Sequence, residues 1–254
     1  MIDLQGKVAL VTGSSRGIGR SVAITLAHAG CDVIVNFVTA QVEAISVAKE
    51  IRDLGRRCWM VRADVSEEED VQSMLEFVTN EIGQLDILVS NAATGGFRPL
   101  MDSNPRHFAA AMNTNVLALI HLVKAAAPLL EKATDRGKVV ALSSHGSHMA
   151  LPMYGLIGGS KAALESIARH LALELGDRRI NVNVVKAGLV ETDSTRRIPG
   201  AKRIFAARTA KTMMGQRQLE SSDVANVVAF LSSPLSDLVQ AETITVDGGA
   251  AAHV

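Results

Sequence analysis

Between Ser143 and Lys161 the chain reads Ser-Ser-His-Gly-Ser-His-Met-Ala-Leu-Pro-Met-Tyr-Gly-Leu-Ile-Gly-Gly-Ser-Lys. Tyr154 is the one tyrosine among 254 residues. Packing alone does not need it, because Phe or Leu fills space without a hydroxyl to satisfy. It stands seven positions before Lys161 and beyond the pair Ser143–Ser144. A phenol, an ammonium and a hydroxyl brought together can donate a proton and stabilise a developing oxyanion. A loop tyrosine beside a solvated lysine accounts for this stretch alone equally well. His145 and His148 flank it, but no carboxylate or cysteine completes a ligand set. They read as pocket-lining or solvated side chains, and no metal is expected.

The elements that must hold this stretch can be read outward from it. The apolar run Lys138–Leu142 predicts a buried strand before it, and Ala162–Leu175 a helix after it. At the N-terminal end, Lys7–Val11 reads as a strand and Arg20–Ala29 as a helix. Between them lies Thr12-Gly13-Ser14-Ser15-Arg16-Gly17-Ile18-Gly19. Strand, glycine-rich turn and helix is the setting a nucleotide needs: Gly13 permits the tight turn, and the later glycines let a pyrophosphate approach the helix N-terminus. Asp32–Phe37 is a second strand, ending in Asn36-Phe37-Val38-Thr39 with no carboxylate for a ribose 2′-hydroxyl. Arg16 in the glycine loop can face a 2′-phosphate instead, so the charges favour NADP over NAD.

Further strands follow at Cys58–Arg62, Asp86–Ser90, Arg179–Lys186 and Thr243–Val246, with helices over 41–54, 113–132 and 221–232. Asp64 follows the third strand and either supports its turn or reaches an adenine base. Ser66 with Glu69 predicts a capping box, Ser221 or Ser222 a cap for the last helix, and Asn115 a cap for the long one. Asn91-Ala92-Ala93 is small enough to lie against a flat ligand. Residues 195–215 are polar, basic and irregular, the composition of a mobile lid. Strands alternate with helices throughout, which predicts one doubly wound parallel α/β sheet with helices on both faces. The whole chain, residues 1–254, is then a single domain with a substrate lid around 193–215.

Lys plus Arg equals Asp plus Glu, 26 against 26, which argues against nucleic acid or an anionic membrane as the main partner. Cys31 and Cys58 suggest no disulfide framework. Met1–Gly6 is too short and polar for a signal peptide. The apolar run Val116–Leu130 is broken by His121, Lys124 and Pro128 and is shorter than a membrane span. A soluble, cytoplasmic protein is expected.

Taken together, Thr12-Gly13-x-x-x-Gly17-x-Gly19, Asp64, Asn91-Ala92-Ala93, Asn115, Ser144, Lys161, Gly188–Thr192 and Asp247-Gly248-Gly249 resemble the short-chain dehydrogenase/reductase superfamily over essentially the full chain. The resemblance implies a Rossmann-like fold and a nicotinamide cofactor, here NADPH. Its implied cofactor contacts are Gly13, Ser15, Arg16, Gly17, Ile18, Gly19, Asn36, Asp64, Val65, Asn91, Ala92, Ala93, Tyr154, Lys161, Gly188, Val190 and Thr192. Tyr154, Lys161, Ser144 and Asn115 are the implied catalytic group. Lys161 would hold the nicotinamide ribose and lower the Tyr154 pKa, Thr192 would meet the carboxamide, and Asn115 would steady Lys161 through water.

Most of the superfamily has Tyr-x-x-x-Lys, but Ile157 stands four residues before Lys161 here. Tyr154-x6-Lys161 resembles instead the enoyl-acyl-carrier-protein (enoyl-thioester) reductase branch. That likeness implies NADPH-dependent reduction of the C=C bond of a thioester carried by acyl carrier protein or coenzyme A, in a homotetramer. A ketoreductase or alcohol dehydrogenase of the same superfamily is the alternative, and a silent NADP-binding regulator a further one. Because Ser144 keeps its family spacing from Lys161 but not from Tyr154, Ser144→Ala is expected to be milder than in a ketoreductase.

Overall fold

The computed structural model describes residues 2–198, 200–215 and 217–252. The elements run β1 (Val8–Val11), α1 (Gly17–His28), β2 (Asp32–Phe37), α2 (Gln41–Asp53), β3 (Cys58–Arg62), α3 (Glu68–Phe77), β4 (Ile87–Ser90), α4 (Pro105–Met112), α5 (Ala118–Leu130), β5 (Gly137–Ser144), α6 (Gly155–Leu175), β6 (Ile180–Ala187), α7 (Ala201–Ala210), α8 (Ser221–Leu231) and β7 (Thr243–Val246). Among the described residues the strands form one seven-stranded sheet in the order β3-β2-β1-β4-β5-β6-β7. Every neighbouring pair is parallel.

The alternation of side chains along each strand builds two cores. Ala9 and Val11 of β1 face the layer of α1, α2 and α8, where Val22, Val47 and Val228 are buried. Val8 and Leu10 face α3, α5 and α6, where Met74, Leu119 and Leu164 are buried. The expected doubly wound, Rossmann-like fold is what forms. The order reverses between β1 and β4, and at such a switch point the two sets of crossovers diverge and leave a crevice beyond the strands' carboxyl ends.

Pro105–Leu130 has the length and hydropathy of a membrane span. Its α5 portion, however, buries Leu119, Leu122, Ala126 and Leu130 in the core beside α3 and the central strands. Its apolar character is that of a core helix.

Three capping expectations are corrected. Ser66 does not cap α3; its Oγ and N–H both donate to Asp64 Oδ1, at 2.7 and 3.0 Å, and the cap position falls on Glu67. For α8 the cap is Glu220, whose N–H donates to Asp223 Oδ2 at 2.9 Å. Asn115 sits inside a π-type turn, Asn113–Leu117, that joins α4 to α5, and caps nothing. The irregular chain expected near 195–215 contains the ten-residue helix α7. Pro199, within the expected lid, lies outside the described residues.

Candidate active site

The glycine loop leaves β1 and turns into α1 at the switch point. Gly13 takes φ +60°, as its tight turn requires. A Cβ on Gly19 would come within 2.4 Å of Asn91 Nδ2 and 2.5 Å of the Gly13 carbonyl, so close packing, not phosphate approach, demands that glycine. Among the described residues no side chain caps α1, which leaves its first N–H groups for a ligand.

Two asparagines fix this loop. Asn36, expected to touch the cofactor, is 1% exposed and its amide is spent beneath the loop. It accepts from the Gly13 N–H at 3.1 Å and donates to the carbonyls of Val61 and Ala63. Its role is corrected from ligand contact to bracket. Asn91 donates to the carbonyls of Thr12 and Gly13 at 2.8 and 3.1 Å, tying the end of β4 to the loop.

The crevice has two compartments. The first, about 410 Å³, is lined by Gly13, Ser15, Arg16, Gly17, Ile18 and Gly19 of the loop. Asp64 and Val65 after β3, Asn91, Ala92 and Ala93 after β4, and Thr192 after β6 also line it, with Val38 and Thr39 after β2. Arg16 is exposed at its rim. The second compartment, about 370 Å³, is largely apolar and shares Ile18, Asn91, Ala93 and Thr192 with the first. Ser144, Tyr154, Lys161, Gly188 and Val190 line it. The fold thus gathers onto one crevice every expected site residue except Asn36 and Asn115.

Tyr154 is the residue just before α6; its carbonyl accepts the Gly158 N–H at 2.7 Å. A Cβ on Gly146 would approach its ring to 2.4 Å, so only glycine lets the chain after β5 close over the phenol. Phe97, which the sequence did not single out, lies obliquely beside the ring, with centroids 6.0 Å apart and planes 31° apart. Tyr154 Oη lies 3.0 Å from Ser144 Oγ, so the two are hydrogen-bonded despite their unusual spacing in sequence. Burial pushes the phenol's pKa up, and the Ser144 hydrogen bond only partly opposes it. The implied lowering of Tyr154 by Lys161 is therefore corrected: the phenol is held protonated.

Lys161 is buried, and Nζ donates to the Leu142 carbonyl at 2.7 Å. Burial pushes its pKa down to about 8, with the Glu165 carboxylate one helical turn on holding it up in part. Glu165 in turn accepts from Ser143 Oγ at 2.5 Å and pairs with Lys186 Nζ at 3.1 Å. This network was not foreseen, although a lysine within the apolar run of β6 signalled it. Asn115 spends its direct hydrogen bonds on Thr94 and Ser160. Its Oδ1 accepts the Thr94 N–H, and its Nδ2 donates to the Thr94 carbonyl and to Ser160 Oγ, at 2.8–2.9 Å. It stitches the loop after β4 to α6.

His145 Nε2 lies 3.0 Å from Asp247 Oδ2. Burial lowers its pKa against the raising effect of Asp247. Among the described residues no three His, Cys, Asp or Glu side chains are grouped to hold a metal.

A crevice with a phosphate-ready helix end beside a half-buried phenol and a buried lysine is the equipment of a dinucleotide-dependent redox enzyme, and the similarities to known proteins agree. The family described as Enoyl-(Acyl carrier protein) reductase matches residues 13–251. The chain is 34% identical over 96% of its length to 1-cyclohexenylcarbonyl-CoA reductase of Streptomyces collinus, covering 86% of that protein. It is 31% identical to a solved 7alpha-hydroxysteroid dehydrogenase complexed with NADH and 7-oxo glycochenodeoxycholic acid, with a TM-score of 0.90 over 98% of this chain and 95% of that one. A short chain dehydrogenase from Burkholderia cenocepacia J2315 in complex with NADP gives 34% identity and a TM-score of 0.89, over 98% and 99% of the two chains. The chain belongs to the short-chain dehydrogenase/reductase superfamily and is an oxidoreductase.

Proposed function

We propose that the protein reduces the C=C bond of an enoyl thioester with NADPH. The observation that carries this reading is the place of its phenol. Tyr154 lies before α6, while the usual tyrosine position, four before Lys161, is filled by the buried Ile157. In a ketone, hydride lands on the carbon that bears the oxygen. In an enoyl thioester it lands on the β-carbon, and charge appears on an oxygen further along the molecule. Tyr154 stands one residue outside α6 with φ −109° and ψ 4°, so the loop before the helix, and not the helical rise, sets where its phenol meets the substrate oxygen. Similarity to 1-cyclohexenylcarbonyl-CoA reductase supports the same reading.

Gly13, Ser15 and Gly17 would hold the cofactor's phosphates, Arg16 its 2′-phosphate and Lys161 its nicotinamide ribose. The nicotinamide supplies the hydride. Tyr154, kept protonated by burial, would donate its hydrogen bond to the developing enolate oxygen while the α-carbon takes up a proton from solvent, and Ser144 holds the phenol in place from 3.0 Å. Lys161, charged below about pH 8, adds a positive field where negative charge grows, strengthened by the apolar walls. Phe97, Leu151 and Met153 keep water from that oxygen.

The Ser144–Tyr154 hydrogen bond favours a second reading, carbonyl reduction, since two hydroxyls so placed can share one carbonyl oxygen. Reduction of crotonyl thioester with 4-deuterated NADPH separates the two. Deuterium at the β-carbon of a butyryl product supports enoyl reduction. An unreduced crotonyl thioester, with turnover of a 3-ketoacyl thioester, overturns it. A cytoplasmic homotetramer completes the proposal; Phe108, Leu117 and Leu173, exposed on α4, the turn after it and α6, support subunit contacts there.

A further inference from the structure

The apolar compartment contains a cation that the chemistry above does not use. Helix α7 presents Ile204 and Arg208, four residues apart and so on one helical face, to the cavity. Arg208 is half-buried. Among the described residues no Asp or Glu oxygen lies within 4.0 Å of its guanidinium. Of the arginines near α7, Arg196 pairs with Glu191 and Asp193 and Arg217 with Asp223, while Arg203, on α7 itself, is exposed to solvent as Arg208 is not.

One carboxylate shares a small adjoining hollow with Arg208, that of Asp247. It is already spent. Oδ1 accepts the Gly249 N–H at 2.8 Å, and Oδ2 accepts the Ala251 N–H at 2.9 Å and lies 3.0 Å from His145 Nε2. The charge of Arg208 reaches this hollow, since together with burial it disfavours protonation of His145. A half-buried guanidinium that lines a largely apolar cavity without a carboxylate partner is completed by a ligand that brings the opposite charge.

We propose that Arg208 pairs with an anionic group of the substrate, so that the cavity takes an apolar molecule bearing a carboxylate or phosphate besides the group that meets Tyr154. The inference rests on the reading that this cavity receives the substrate, and it holds for either C=C or C=O chemistry. A carboxylate on the substrate's own chain and a phosphate of its carrier share this chemistry.

Equilibrium binding separates the sources without turnover. Calorimetry on the whole NADPH-loaded enzyme would titrate decanoate, decanol and coenzyme A into wild type, Arg208→Ala and Arg208→Lys. A loss of roughly tenfold or more in decanoate affinity in Arg208→Ala, with decanol unchanged and Arg208→Lys intermediate, supports the pairing with a chain carboxylate. The same loss for coenzyme A alone supports it with a carrier phosphate. Equal affinities in all three proteins, or an equal loss for decanol and decanoate, would overturn it. An unchanged NADPH affinity and melting temperature in Arg208→Ala exclude misfolding as the cause. Because no reduction is measured, failure here leaves the enoyl assignment standing, and failure of that assignment leaves this test intact.

Discussion

At the scale of the residue, the site turns on a half-buried phenol and a buried ammonium whose protonation the fold controls in opposite senses. Tyr154 is pushed toward staying neutral, and Lys161 toward losing its charge. Tyr154→Phe should lower kcat by roughly a hundredfold or more while leaving the NADPH dissociation constant nearly unchanged. Lys161→Ala should damage both, which steady-state kinetics and cofactor titration can distinguish. Ser144→Ala is expected to cost turnover, and not to be the milder change its sequence spacing implies, because Ser144 is the partner of the phenol at 3.0 Å. The spacing in sequence hid that contact; the loop 145–153 folds back and closes it. Glu165 offers a test by pH. Lys161 must be charged, so activity should fall as pH rises through about 8. Glu165 raises the Lys161 pKa, so Glu165→Gln should move this alkaline limb to lower pH. Lys186→Met frees the Glu165 carboxylate from its 3.1 Å pair and should move the limb to higher pH. Shifts of the same sign in both variants would contradict the network.

At the scale of the element, the strands and the glycine loop were legible because apolar runs and glycine spacing are local. The caps were not, since Ser, Asn and Asp compete for the same backbone groups and only the turn geometry decides between them. Asn115 shows the difference. Next to a long apolar helix it resembles a cap, yet it is 2% exposed and bridges Thr94 to Ser160 across two elements. Asn115→Ala would leave the Thr94 N–H unpaired. That should cost about 2 kcal/mol, or roughly 4–8 °C in melting temperature for a chain of this size, readable by calorimetry. Helix α7 was missed for another reason: it buries no residue, so its sequence carries no apolar stripe to read. Arg208, whose position depends on that helix, was invisible with it.

At the scale of the whole molecule, the alternation of strand and helix was enough for the fold class, and the switch point it implies is where both compartments lie. Which polar groups face which compartment was only partly legible, because Asn36 stands where a cofactor contact is expected in sequence while its amide is spent beneath the loop. With Arg16 exposed at the rim and no acid after β2, Arg16→Ala should raise the KM for NADPH by about tenfold and hardly change that for NADH; equal effects would count against a 2′-phosphate contact. Light scattering at micromolar concentration should return a tetramer, and a monomer would refute it. The central claim is that this crevice reduces C=C and not C=O. Crotonyl and acetoacetyl thioesters of the same carrier, offered together to the NADPH-loaded enzyme, test it most directly: butyryl thioester accumulating beside intact acetoacetyl thioester is the result predicted, and 3-hydroxybutyryl thioester accumulating beside intact crotonyl thioester would contradict it.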